Sequence, residues 1–493
     1  MKSNFLCYLL TVCLLISSSE LLSQEKLRTE ANANLVRYTT KDGLPTTNIA
    51  KIAQTKDGFI WISGIEGTTR FNGYEFEEAG TDIDLPKMQN LYYDSINDIL
   101  YLASPEKFIV IQGDDYKVYS EQEGYKINGL DGQMVGMMEA DSKGRIWIGS
   151  WTPWVDKKCN GGLTKYENGT FTVYDSTSFP LDNATGMLET PYGDLIFNSF
   201  GHNTQSREGS YIALFKDEKF RKIDKSEGID LQGAIIFPGN AFNAVDREGN
   251  TWLAFSGLNN SSNYQTNYGV LMYDGTTFHQ FKELDGILGD DRFPVQVFYS
   301  QSMEKLLLTT LSLDGDIFDG ENKTIYEFEN GKWKPSDILE QIYPLKNNKT
   351  GNTINDFRFF AAYFINANKY FPELLVLPSA NENQSSVYPD QLFHLKDNKW
   401  EKYDAFSIGN GYELKKGFIM SNSKGLEIYY PNYSRMLTVD DGLVSNQSFI
   451  LQLFTDRNGL VWISHSYTEL PTYARTYDVG MNVWDGEKIR AFS

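Results

Sequence analysis

The chain has 493 residues and carries 45 Lys and Arg against 65 Asp and Glu, a net charge of −20. This acidic balance argues against binding to nucleic acid, whose phosphates require a basic stripe, and against docking on anionic lipid. Aromatic residues make up 14% of the chain, with 31 Phe, 30 Tyr and 9 Trp. Such a composition can bury a large core, so it excludes wholesale disorder.

The N-terminal segment has the pattern of a secretory signal peptide. Lys2 precedes an apolar run over residues 5–16, and three serines follow it. The run is shorter than the ~20 apolar residues that span a bilayer. We therefore predict a signal peptide over residues 1–23. No later stretch of sequence is long and apolar enough to cross a membrane, so the mature protein is expected to be soluble and either periplasmic or secreted.

One sequence pattern, a polar turn with Gly followed by a strand with Trp, recurs along the chain. The clear copies centre on Trp61, Trp147, Trp252 and Trp462. The gaps between them leave room for weaker copies, which are found around Tyr101, Ile196, Leu307, Val376 and Phe418. These nine units indicate a repeat architecture. The Trp residues are predicted to pack in the core, between repeats, and not to form a ligand cage.

Each unit has the same internal order of strands. A first strand ends in the polar turn, a second strand carries Ile, Val or Trp, and a third strand often ends in Asn-Gly or Asp-Gly before a fourth. Four antiparallel strands in about 40–50 residues are typical of a propeller blade. We predict an all-β fold, a single β-propeller over residues 33–493, with nine blades and eight as the alternative. The terminal segments LVRYTT and KIRAFS both look like fourth strands and compete to close the ring.

Residues 38–76, YTTKDGLPTTNIAKIAQTKDGFIWISGIEGTTRFNGYEF, resemble the two-component regulator propeller repeat, and 136–174 and 442–489 follow it with inserted loops. In that family, such propellers form the exported sensor region of hybrid histidine kinases. The resemblance implies a sensing or binding module and allows a membrane-bound kinase as its partner. The sequence has no immunoglobulin-like domain, second membrane segment, phosphoacceptor His box or receiver domain, so no kinase activity is expected from this polypeptide.

Insertions occur where second strands are predicted to join third strands. They cover residues 151–161, 201–210, 257–268, 311–323, 378–390 and 465–478. In a blade these connections lie on one face, so length variation there suggests a binding face on a fixed scaffold. The predicted ligand-binding residues in these insertions are Trp151, Trp154, His202, Tyr264, Tyr268, His465, Tyr467 and Tyr473. Aromatic rings among polar side chains suit an oligosaccharide, and they suit a partner protein nearly as well.

Catalytic and metal sites have little support in the sequence. The four His residues are scattered, with no H-E-x-x-H, and no nucleophile or phosphate-binding motif occurs, so no catalytic residue and no cofactor are predicted. His279 and His394 fall in predicted strands. His202 and His465 lie in insertions, which leaves a glycan-acting lyase or hydrolase as the alternative function. Three carboxylates, Asp314, Asp316 and Asp319, resemble a calcium loop with its last ligand one place late, so calcium stays an alternative.

Overall fold

A computed structural model provides the structure of the chain. It describes residues 35–44, 49–64, 67–77, 88–127, 134–151, 161–181, 183–199, 212–231, 243–255, 269–281, 292–312, 324–342, 358–359, 363–365, 373–377, 379–380, 391–396, 399–404, 412–413, 418–422, 425–430, 433–443, 449–466 and 481–485. These residues are almost entirely β-strand, and their one α-helix is α1 (Ile338–Ile342). Within the same ranges, no helix has the length and apolarity that crossing a bilayer requires.

The strands form nine four-stranded antiparallel sheets, as many as the units counted in the sequence. Sheets one to three contain β2 (Ile49–Gln54), β3 (Ile60–Gly64), β4 (Gly67–Phe71) and β5 (Phe76–Glu77); β6 (Asn90–Asp94), β7 (Ile99–Ala103), β8 (Phe108–Gln112) and β9 (Asp115–Tyr119); and β10 (Met134–Ala140), β11 (Ile146–Trp151), β12 (Gly161–Glu167) and β13 (Thr170–Asp175). Sheets four to six contain β14 (Gly186–Glu189), β15 (Leu195–Asn198), β16 (Ile212–Lys216) and β17 (Lys219–Ile223); β18 (Asn243–Val245), β19 (Thr251–Phe255), β20 (Gly269–Tyr273) and β21 (Phe278–Phe281); and β22 (Arg292–Ser300), β23 (Lys305–Ser312), β24 (Ile325–Glu329) and β25 (Lys332–Pro335).

The remaining three sheets complete the series. Sheets seven and eight contain β27 (Tyr363–Ile365), β28 (Leu374–Leu377), β30 (Gln391–Lys396) and β31 (Lys399–Asp404); and β32 (Tyr412–Glu413), β33 (Phe418–Asn422), β34 (Gly425–Tyr430) and β35 (Tyr433–Leu437). Sheet nine contains β36 (Phe449–Thr455), β37 (Leu460–Ser466), β38 (Met481–Asp485) and β1 (Leu35–Tyr38). A separate two-stranded ladder pairs β26 (Arg358–Phe359) with β29 (Ser379–Ala380) beside sheet seven. The predicted all-β propeller of four-stranded blades is confirmed.

Apolar side chains fill the spaces between neighbouring sheets. Trp147 on the second strand of sheet three is fully buried and lies 5.1 Å from Phe197 and 5.0 Å from Phe215 of sheet four, measured between ring centroids. Trp61, Trp252 and Trp462 are buried in the same way. The prediction that the repeated Trp residues belong to the core is confirmed. A lone sheet would expose both apolar faces, and stacking sheets around a ring covers them.

The N-terminal strand supplies the fourth strand of sheet nine. β1 pairs antiparallel with β38, with Val36 opposite Val483 and Tyr38 opposite Met481. The ring of Tyr38 lies against Phe71, Phe76 and Trp462. The sequence left two candidates for the strand that closes the ring, residues 35–40 and 488–493. The structure gives that place to β1, because its aromatic end packs between sheets nine and one. Residues 486–493 lie outside the described ranges.

Candidate functional site

The six insertions share one position in the topology. Each joins the second to the third strand of its sheet: β11 to β12, β15 to β16, β19 to β20, β23 to β24, β28 to β30 and β37 to β38. Their anchor points therefore lie at one end of the ring, which we call the loop face. At the other end, the turn face, first strands turn into second strands and third into fourth. The described turn-face connections are short; residues 95–98 and 113–114 are two of them.

Two of the predicted binding residues fall on described strands at the loop face. Trp151 is the last residue of β11 and pairs with Met134, the first residue of β10. His465 lies near the end of β37 and pairs with Ile450 at the start of β36. The two therefore occupy the same end of the ring, in sheets three and nine, which are not neighbours.

The other predicted site residues lie outside the described ranges. They are Trp154, His202, Tyr264, Tyr268, Tyr467 and Tyr473, together with the candidate calcium ligands Asp314, Asp316 and Asp319. In the part of the chain that is described, no group of three or more His, Cys, Asp or Glu side chains could hold a metal ion.

A β-bulge recurs at the loop-face end of first strands, and no pattern in the sequence predicts it. It occurs in four sheets, between Ile49 and Lys51, Val135 and Met137, Pro294 and Gln296, and Ile450 and Gln452. A bulge twists the strand locally and re-aims the side chains next to it. The bulges of sheets three and nine lie next to Met134 and Ile450, the strand positions that pair with Trp151 and His465.

The two His residues predicted in strands are sheet residues, as expected. A ring nitrogen of His279, on β21, lies 2.9 Å from the Asp274 carboxylate and 3.1 Å from the Thr277 hydroxyl. Backbone hydrogen bonds from Thr277, and then the His279 contact, hold the pKa of the Asp274 carboxyl far below its usual range. His394 is buried on β30. Both His residues are therefore parts of the β-sheets.

The turn face has a cavity of about 490 Å³ at the inner ends of sheets nine, one and two. Hydrogen bonds hold its rim. Gln54 of β2 accepts the backbone N–H of Arg457 at 2.8 Å and donates to the Gly58 carbonyl at 3.2 Å. The Tyr93 hydroxyl donates to the Asp98 carboxylate at 2.6 Å. Burial and this hydrogen bond raise the pKa of Tyr93 to about 12. We call this feature the turn-face cavity.

No protein-family profile matches the chain, and no curated protein matches it. Among solved structures, the chain is similar to the extracellular domain of BT3049 from B. thetaiotaomicron, named as part of a hybrid two-component system, at 13% identity, over 90% of this chain and 72% of that one, with a TM-score of 0.31. PorZ, a surface component of the type-IX secretion system of Porphyromonas gingivalis, is similar at 12% identity, over 89% of this chain and 65% of that one, with a TM-score of 0.28. The β-propeller domain of the Trilobed protease from Pyrococcus furiosus is similar at 12% identity, over 72% of this chain and 90% of that one, with a TM-score of 0.34. Scores this low support no assignment, so the propeller fold rests on the strand order given above.

Proposed function

We propose that the chain is an exported, non-catalytic propeller that binds a glycan fragment or a partner protein at its loop face, in signalling of the two-component type. The observation that carries the proposal is the position of the six insertions, all of which join second to third strands. A rigid scaffold with variable loops at one end is the usual arrangement of a recognition surface. The repeat pattern of residues 38–76 adds support, because it resembles the repeat of sensor propellers.

The chemistry of the insertions favours recognition over catalysis. Trp151, Trp154, Tyr264 and Tyr467 supply ring faces, and neighbouring Asn, Ser and Asp residues supply hydrogen-bonding groups. A sugar ring stacks its C–H face on an aromatic side chain while its hydroxyls bond to polar neighbours. A membrane-bound kinase on another polypeptide would then respond to ligand binding at the loop face.

The test is direct binding of polyuronate and sulfated glycan fragments to the mature chain, combined with analysis of the glycan afterwards. Binding should occur without new reducing or unsaturated ends. Replacing Trp151, Trp154, Tyr264 or Tyr467 by Ala should weaken binding by roughly 1–3 kcal/mol for each stacking residue. The matched control is Tyr74→Ala: Tyr74 is an aromatic residue on the turn face that is 93% exposed. This variant should bind as the wild type does.

Two outcomes would contradict the proposal. If all four loop-face variants bind every glycan and partner as tightly as the wild type, the loop face is not the recognition surface. If glycan cleavage appears and is lost in His465→Ala or His202→Ala, the protein is a glycan-acting lyase or hydrolase. Export is tested separately by cell fractionation and N-terminal sequencing, which should find a chain that has lost residues 1–23.

A further inference from the structure

Four Asn-Gly pairs lie in turns that the structure describes, and all four are at the turn face. Asn72-Gly73, Asn168-Gly169 and Asn330-Gly331 join third to fourth strands, and Asn458-Gly459 lies between β36 and β37. An Asn before Gly can lose its side-chain amide without an enzyme, because the next backbone nitrogen attacks the side-chain carbonyl carbon and Gly has no side chain to obstruct it. The reaction needs a free backbone nitrogen and a carboxamide that can turn towards it.

Hydrogen bonds to the side chain protect the pair in sheet one. The Asn72 carboxamide oxygen accepts the backbone N–H groups of Tyr74 at 2.8 Å and Glu75 at 3.0 Å. The carboxamide nitrogen donates to the Glu77 carboxylate. Turning the carboxamide towards Gly73 would break these bonds, so Asn72 is expected to react slowly.

Hydrogen bonds to the backbone protect the pair in sheet nine. The N–H of Gly459, the nitrogen that would attack, donates to the Asp456 carbonyl at 3.0 Å. The Asp456 carboxylate accepts the backbone N–H groups of Asn458 at 2.8 Å and Leu460 at 2.9 Å, on both sides of this nitrogen. The turn must open before Asn458 can react, so it is also expected to react slowly.

The other two pairs have the same backbone and form a matched comparison. Each is a two-residue hairpin turn, with φ of 49° and 81° at Asn168 and Gly169, and of 53° and 78° at Asn330 and Gly331. Positive φ at both residues is the type I′ turn that Asn-Gly favours. All four residues are exposed. Backbone conformation and solvent access therefore do not distinguish the two sites.

One hydroxyl group does distinguish them. Tyr166 stands two residues before Asn168, and Phe328 stands in the same place in the other turn, in the sequences YENG and FENG. Burial raises the pKa of Tyr166, and a hydrogen bond from the backbone N–H of Gly169 to its hydroxyl opposes that rise. Phe328 offers no such acceptor. The attacking nitrogen is therefore held in the first turn and not in the second.

From these contacts we infer a modification site: among the described Asn-Gly pairs, Asn330 is the one that deamidates in the folded protein. Within the described ranges, neither its side chain nor the Gly331 N–H has a hydrogen-bond partner. The Gly331 nitrogen gives its proton to hydroxide and bonds to Cγ of Asn330, and Nδ2 leaves as ammonia. Water then opens the cyclic imide at either carbonyl carbon, which leaves aspartate or isoaspartate at position 330.

The modification changes a hairpin that carries a core residue. Glu329 and Lys332 pair at the ends of β24 and β25. The next residue, Trp333, is buried, with its ring 6.0 Å from Trp252 and 5.1 Å from Phe328. Isoaspartate adds one backbone atom between the paired residues and so disturbs the register of the hairpin. We therefore expect the isoaspartate form to melt at a lower temperature than the Asn330→Asp variant.

The experiment is incubation of the folded mature chain at mildly alkaline pH, followed by peptide mapping with mass spectrometry and an isoaspartate-specific methylation assay. Asn330 should deamidate about three- to tenfold faster than Asn168, because one hydrogen bond separates the two sites. Asn72 and Asn458 should also be slower than Asn330. The same chain in concentrated urea is the control: all four pairs should react at similar rates there, because the hydrogen bonds that distinguish them are lost.

Exchanging the hydroxyl tests the cause directly. Tyr166→Phe should accelerate deamidation of Asn168 about three- to tenfold and leave Asn330 unchanged. Phe328→Tyr should slow Asn330, and Asn330→Ser should abolish modification at this position. The inference is overturned if Asn330 reacts no faster than the other three sites in the folded chain, or if the same order persists in urea. It is also overturned if Tyr166→Phe and Phe328→Tyr both fold with unchanged melting temperatures and alter neither rate. None of these results depends on what the loop face binds.

Discussion

The indole N–H of Trp252 donates a hydrogen bond to the carboxylate of Asp246, six residues earlier, at 2.6 Å. The same carboxylate accepts the backbone N–H of Asn250 at 2.8 Å, and so holds the turn between β18 and β19. Asp141 and Trp147, and Asp456 and Trp462, repeat the arrangement in sheets three and nine. The polar turn and the core Trp of this repeat are therefore one structural unit.

Replacing Asp246 by Ala should destabilise the protein by about 2–4 kcal/mol, because the change leaves a buried indole N–H without an acceptor and removes the cap of the turn. Urea denaturation followed by Trp fluorescence measures the loss. Glu248→Ala, in the same turn but exposed, is the matched control and should change stability by less than about 0.5 kcal/mol. Equal losses in the two variants would show that the Asp–Trp bond has no special role.

Two buried threonines provide a second comparison. Thr55 accepts the indole N–H of Trp61 at 3.1 Å and donates to Asp57 at 2.6 Å, whereas the hydroxyl of Thr309 is fully buried and has no hydrogen-bond partner among the described residues. Thr55→Val should therefore cost about 1–3 kcal/mol, and Thr309→Val should be neutral or stabilising. Thermal unfolding of both variants gives the answer. A comparable loss in Thr309→Val would show that its hydroxyl is bonded, for example to water.

The role of Thr55 marks a limit of the sequence pattern. In the first unit the pattern places Asp57 beside the Gly of the turn, but Thr55 is the residue six positions before the Trp, where the other three units with Trp have Asp. Asp57 reaches the indole only through the Thr55 hydroxyl. A spacing in sequence does not distinguish a direct contact from a relayed one, because that depends on where side chains lie in the folded turn.

Other features show the same division between local and long-range information. Weak units such as those around Tyr101 and Ile196 could be found because each is a short apolar strand after a polar turn, and both lie on second strands. The recurrent bulges could not be found from the sequence, because a bulge depends on how a strand pairs with its neighbour and not only on the residues of that strand. Closure by β1 depends on contacts of Tyr38 with residues as distant in sequence as Trp462.

Ring closure through β1 can be tested at Tyr38. This ring lies 5.4 Å from Phe71, 5.1 Å from Phe76 and 6.2 Å from Trp462, between ring centroids, and so joins the first and last sheets. Tyr38→Ala should destabilise the protein by about 2–4 kcal/mol. Val36→Ala, in the same strand but 45% exposed, should cost less than about 1 kcal/mol. If urea unfolding gives the two variants the same stability, β1 does not fasten the ring.

The hydrogen bond from Tyr93 to Asp98 predicts a specific loss of stability in alkali. Burial and the Asp98 carboxylate raise the pKa of Tyr93 from 10.0 to about 12. Because the folded-state pKa is the higher one, the stabilisation from the neutral hydroxyl is fully present below pH 10 and is lost as the pH rises through about 12. The stability difference between the wild type and Tyr93→Phe should therefore be constant from neutral pH to about 10 and then shrink.

The measurement is the urea midpoint of both proteins at a series of pH values, since taking the difference cancels the titration of the other tyrosines. Tyr116→Phe, at a tyrosine of β9 that is 44% exposed, is the matched control. Its difference from the wild type at neutral pH should be small, because this side chain is largely exposed to solvent. If the Tyr93→Phe difference stays constant through about pH 12, the hydroxyl is not held in its neutral form by Asp98. If the difference grows above pH 10, folding lowers the pKa of Tyr93 and does not raise it. Tyr93 would then not be a fixed hydrogen-bond donor at the rim of the turn-face cavity.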